Sequence, residues 1–157
     1  MQLKVIALAS LTALVGCVPN YIVPTENVAT VEFSSVGSPI FAMYSKGNDC
    51  SGMTRLPREN APGNPNATPL SVAAGVNIAF GATGTHGASW CNAMTSFTPV
   101  SGARYHVALI VDYPKGCSVE VYRDNNGQQQ PEPSARIKEV RSVFPMYPTG
   151  SFCHSGK

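Results

Sequence analysis

Charge is scarce in this chain. Of its 157 residues, 13% are Asp, Glu, Lys or Arg, against about a quarter in an ordinary globular protein. The 11 basic residues form no run and the net charge is +2. No nucleic-acid partner is expected, because phosphate binding needs clustered Lys and Arg. Runs of Ala, Leu, Glu and Lys, which long amphipathic helices need, are missing after residue 16. The longest apolar stretch, Val5 to Val15, is shorter than the roughly 20 residues a membrane-spanning helix requires. There is no Gly-x-Ser-x-Gly nucleophile elbow, no Cys-x-x-Cys pair and no internal repeat.

Turn formers and cysteine are plentiful instead. Gly (14) and Pro (13) punctuate the chain, as short strands joined by turns require. The first residues divide into three regions. Met1 to Lys4 carries one positive charge, Val5 to Val15 is apolar, and Leu14-Val15-Gly16-Cys17 closes the run on small residues. That order is a signal peptide's.

The closing Leu-x-Gly-Cys resembles the lipobox of bacterial lipoproteins. The resemblance implies cleavage after residue 16, lipid on the Cys17 thiol and acylation of its new amine. Several acyl chains together hold a protein on a membrane where one would not. Val18, where a retention signal would place Asp, implies passage to the outer membrane in enteric-type bacteria. The expected organisation is a leader over 1–16, a lipidated tether over 17–27 and one β-rich domain over 28–157. The expected location is the outer membrane, facing the periplasm.

With Cys17 assigned to lipid, Cys50, Cys91, Cys117 and Cys153 remain of the five cysteines. An even number in an exported domain predicts two disulfides, with three pairings open. The expected pairs are Cys50 with Cys91 and Cys117 with Cys153, the second tying down the tail. His86, His106 and His154 are scattered, so neither a metal nor a cofactor is expected.

Alternation marks the strands. In 28–36, Ala29, Val31 and Phe33 share one face and Thr30 and Glu32 the other, with 40–46 as the partner strand. Residues 51–68 and 124–134 read as loops, and 85–90 as a third. Over 69–84 a strand, a bend at Gly75 and a second strand follow, with Val76, Ile78 and Phe80 facing in. The strongest pattern is a hairpin. Tyr105, Val107, Leu109 and Val111 face in along 103–113, and Cys117, Val119 and Val121 along 117–123. Residues 135–144 admit a short C-terminal helix, with Ile137, Val140 and Phe144 as its stripe, or an edge strand. The predicted class is all-β, a small antiparallel sandwich or barrel with two disulfides.

Catalytic constellations fare poorly. His106 and Asp112 lie about 20 Å apart along an extended strand, out of hydrogen-bond reach. Glu120 and Asp124, the nearest carboxylate pair, read as solvated surface. His86 sits in a Gly-flanked loop.

Phe97-x-Pro99-x-x-Gly102-x-x-Tyr105, followed by Cys117, is a strand end, a turn and a strand start, with Phe97 and Tyr105 as an aromatic pair. Over 69–123 the chain resembles small proteobacterial lipoproteins of unknown function, which implies a fold and a compartment. Ser101-Gly-Ala-Arg-Tyr105, with Lys115-Gly116, also resembles the motifs of membrane-bound C-type lysozyme inhibitors. That resemblance implies that Ser101, Tyr105 and Lys115 contact the two carboxylates of a lysozyme cleft. Pro114 and the placement of the cysteines depart from it. The expected function is a non-enzymatic binding or envelope-accessory role with an envelope protein as partner; the alternative is lysozyme inhibition.

Overall fold

The computed structural model describes residues 18–35, 40–62, 64, 66–86, 89–112, 116–140 and 152–155. Eleven strands follow in order: β1 Val28–Ser35, β2 Ile40–Lys46, β3 Ser51–Arg55, β4 Leu70–Ala73, β5 Ile78–His86, β6 Ser89–Phe97, β7 Arg104–Asp112, β8 Gly116–Asn125, β9 Gln128–Pro131, β10 Arg136–Val140 and β11 Cys153–Ser155. A 3-10 turn occupies Arg58–Asn60. The fold is all-β, as the alternation predicts.

The strands make two sheets, β4-β1-β7-β8-β9 and β11-β10-β6-β5-β2-β3. Their facing sides form the main core, where Val31, Val107 and Leu109 meet Ile78, Phe80 and Phe97. Burying such side chains stabilises by roughly 1.5–3 kcal/mol each. Phe80 is central, stacking edge-on against Phe33 and tilted against Phe97. Phe97 also lies 5.0 Å from Tyr105, so the expected aromatic pair forms, joining the two sheets rather than the strands of one hairpin.

The six-stranded sheet has a second core on its other face. Tyr44, Ala79, Met94, Cys50 and Cys153 pack there, with Phe152 against Tyr44. Cys50 lies in the turn between β2 and β3 at one edge of the sheet, and Cys153 starts β11 at the other. They are disulfide-bonded, and the Cys153 N–H also donates to the Asp49 carbonyl. The sheet therefore curls into a half-barrel whose edges are stapled together.

The second disulfide, Cys91–Cys117, joins β6 to β8 across the two sheets. Two bridges form as expected, but both pairs differ from the expected ones. Cys50 meets Cys153 at a Cα separation of 5.3 Å and Cys91 meets Cys117 at 6.0 Å. The curl of one sheet and the stacking of two decide this, and neither is a local property.

The β7–β8 hairpin forms in the expected register, from Tyr105 opposite Arg123 to Asp112 opposite Gly116. Other expectations are corrected. β1 and β2 are not partners but belong to different sheets. One pairing, β1 with β7, is parallel. Residues 51–68 are not all loop, since they hold β3 and the 3-10 turn, and 124–134 holds β9. β5 and β6 continue through the stretch read as loop at 85–90, to His86 and from Ser89. Val76 is 48% exposed, because it belongs to the turn at Gly75 and β5 begins only at Ile78.

In place of a helix, residues 136–140 form β10, paired with β6 and β11. The free edge of β6 offers backbone partners that outweigh a short helical stripe. Phe144 lies outside the described residues. Pro19 and Tyr21 also exchange backbone hydrogen bonds with Arg55, and the Tyr21 hydroxyl donates to the Ser71 carbonyl.

Candidate functional site

The outer face of the five-stranded sheet collects the polar residues of three strands. Strand alternation that buries Val31, Val107 and Val121 turns Glu32 and Ser34, His106, and Glu120 and Tyr122 outward. Register then sets neighbours. Glu32 lies beside His106, and His106 lies opposite Tyr122. Ser34 Oγ and His106 Nε2 are 2.7 Å apart. The Tyr122 hydroxyl donates to Glu120 Oε2, while Arg104 pairs with Glu32 at 3.4 Å. The hydrogen bond to Glu120 is the main reason the Tyr122 hydroxyl is harder to ionise than usual, with desolvation and the carboxylate's charge adding to it.

A serine beside a histidine has the elements of a nucleophile and a base. Here both project from a half-buried strand face, and the carboxylates of Glu32 and Glu120 on the same face are engaged by Arg104 and Tyr122. The pair makes a polar contact between β1 and β7. Sequence reading misses it because the partners are 72 residues apart and meet through the parallel pairing.

A second feature is an open cleft of about 540 Å³ at the start of β7, lined by Ser101, Arg123, Asp124, Asn125, Gln130 and Pro131 among others. Ser101 is exposed on its rim. Tyr105 is buried, and its hydroxyl accepts the Val100 N–H at 2.9 Å, which fixes the turn carrying Ser101. Burial is the main cause that raises the Tyr105 pKa. Ser101 and Gly116 stand at opposite ends of the nine-residue β7, roughly 30 Å apart at strand rise. Lys115 lies outside the described residues, as does Cys17.

The remaining candidates lie on other strands and turns. Asp112 is exposed at the far end of β7 from Ser101. His86 ends β5. Asp124 accepts the Gly127 N–H and closes the β8–β9 turn. His154 pairs with Glu139 at 2.8 Å. Among the described residues, no group of three His, Cys, Asp or Glu is placed to hold a metal. Compared with known proteins, the chain matches no family model, no curated protein and no solved structure.

Proposed function

We propose that the chain is a lipid-anchored, non-enzymatic binding module of the cell envelope, held at the outer membrane and facing the periplasm. One observation carries most of this reading. The two disulfides consume Cys50, Cys91, Cys117 and Cys153, leaving Cys17 as the single remaining cysteine, at the end of a signal-like leader. Two cross-links of this kind suit an oxidising compartment. The docking of Pro19 and Tyr21 on Arg55 adds a consequence. Only Val18 then separates the lipid from the domain, so the domain rides close to the membrane surface instead of swinging on a tether.

Substituting Cys17→Ser in the full-length chain tests the anchor. The variant is expected in the soluble envelope fraction, and the wild type in the membrane with a mass gain matching its acyl chains. A variant that stays in the membrane, or a wild type without the added mass, refutes the reading.

An inhibitory role toward lysozyme is the second reading, favoured by the exposed Ser101 beside Arg123 on the cleft rim. Full-length protein in micromolar excess over lysozyme, followed by cell-wall turbidity, checks it. An unchanged clearing rate ends it.

A further inference from the structure

The five-stranded sheet stops short on one side. β9 pairs with β8 only over Tyr122–Asn125. Glu132 N–H continues the contact to the Val121 carbonyl. From Gly116 to Glu120, β8 has no described strand on that flank. The Thr95 hydroxyl of β6 donates to the Val119 carbonyl, which shows which way Val119 points. The Val121 carbonyl accepts from Glu132 on that flank, and alternate residues of a strand point their N–H and C=O the same way, so the Val119 N–H faces it as well, while the Val119 carbonyl is already held by Thr95.

The opposite wall is uncovered too. Ile137 of β10 pairs with Thr95 of β6, so the two share a face, the one turned toward the five-stranded sheet. Thr95 is buried there. Ile137 is 73% exposed, and among the described residues no strand of the smaller sheet reaches over it. A core-facing position thus stands open to solvent.

Between these walls runs a groove of about 220 Å³, lined by Val119, Glu120, Val121, Glu132, Ala135 and Ile137 among others. Two carboxylates line it and no lining residue is basic. Glu132 is 6% exposed. Its Oε1 accepts the Ser134 N–H and hydroxyl, while Oε2 is buried without a hydrogen-bond partner. A buried carboxylate oxygen left unpaired is costly, a cost that a donor arriving in the groove removes.

We propose that this groove is a docking site for an extended peptide segment of a partner protein. The segment adds a strand along β8 from Gly116 to Glu120, lays an apolar side chain on Ile137 and directs a Lys or Arg toward Glu132. Backbone pairing supplies the attachment and alternate side chains supply the selectivity. The added strand takes the position that the five-stranded sheet leaves empty. The proposal rests on the binding role given above and names the surface through which it acts.

The test uses full-length protein in detergent and a short capped peptide of alternating valine and lysine. Amide hydrogen exchange is followed at Cys117–Val121 with and without peptide. The Val119 amide is expected to become protected. A valine–glutamate peptide, and a valine–lysine peptide N-methylated at alternate residues, are expected to leave it unprotected. Glu132→Gln keeps the Oε1 acceptor and is expected to weaken binding about tenfold, as loss of one charge-assisted hydrogen bond does. The exposed Ile137→Ser, which removes no buried contact, is expected to weaken it similarly.

Protection equal with the acidic or N-methylated peptide overturns the proposal, as does protection confined to another strand. If Val119 is protected without peptide and in proportion to protein concentration, the occupant is a second copy of this chain and the partner assignment fails. None of these readouts depends on Cys17, so a failure here is distinct from a failure of the lipid anchor.

Discussion

Removing the Cys50–Cys153 bridge should destabilise the domain more than removing Cys91–Cys117. The two closures differ in reach, with sequence separations of 103 and 26 residues. In the chain-entropy model, loops of these lengths correspond to about 4.7 and about 3.5 kcal/mol of stabilisation. Packing acts in the same direction. Cys50 and Cys153 are fully buried in the second core beside Met94 and Tyr44, whereas Cys91 and Cys117 are half-buried. At roughly 3 °C per kcal/mol for a domain of this size, Cys50→Ala/Cys153→Ala should lower Tm by about 14 °C and Cys91→Ala/Cys117→Ala by about 10 °C. Thermal and urea unfolding of both paired variants, each with Cys17 unchanged, provide the assay. The order of the two losses is the critical result. If the Cys91/Cys117 pair proves the more costly, closure of the half-barrel is not the dominant cross-link and the account of the second core is wrong.

Two further perturbations follow from burial. Tyr21, pushed up to about 12 by burial, and Tyr44, Tyr105 and Tyr122 all have raised pKa values, each named with the cause that leads it: desolvation for the first three, the Glu120 hydrogen bond for Tyr122. The folded state then holds protons that the unfolded state loses from about pH 10, so their stabilising contribution is complete below pH 10 and is lost as pH rises toward the folded values; tyrosinate absorbance and circular dichroism should change together in that window, and ordinary tyrosine titration with intact dichroism refutes this. Gly47→Ala would place a Cβ 2.7 Å from the Ile78 carbonyl oxygen, a backbone atom at the start of β5; a loss of about 1–3 kcal/mol in urea unfolding is expected, and an unchanged midpoint would mean the β2–β3 turn is not seated as described.

What the sequence discloses depends on range. The β7–β8 hairpin is legible because alternation runs through Tyr105, Val107 and Leu109, turns, and resumes at Val119 and Val121, all within one short stretch. β1 is equally clear as a strand, yet its partners lie at Leu70–Ala73 and Arg104–Leu109, and nothing in its own residues names them. β10 is ambiguous by pattern and is decided by the backbone edge of β6. The disulfide pairs depend on how the six-stranded sheet curls, which no cysteine spacing records. The docking groove is harder still to foresee. Its walls, Val119 and Ile137, are ordinary apolar residues, and nothing in their local pattern tells that one is buried and the other exposed. Ser34 and His106 likewise meet only through the parallel strand pairing.

The place of β1 in its sheet bears on how the protein is made. Its two neighbours, β4 and β7, come roughly 40 and 75 residues later in the chain. A chain delivered from its N-terminus therefore cannot seat its first strand until residue 109 has emerged, and cannot staple Cys50 until Cys153 has done so. Folding is deferred to the end of synthesis. For the export proposed above, such an order is an advantage, since a chain that folds late is still extended when it is threaded through a membrane.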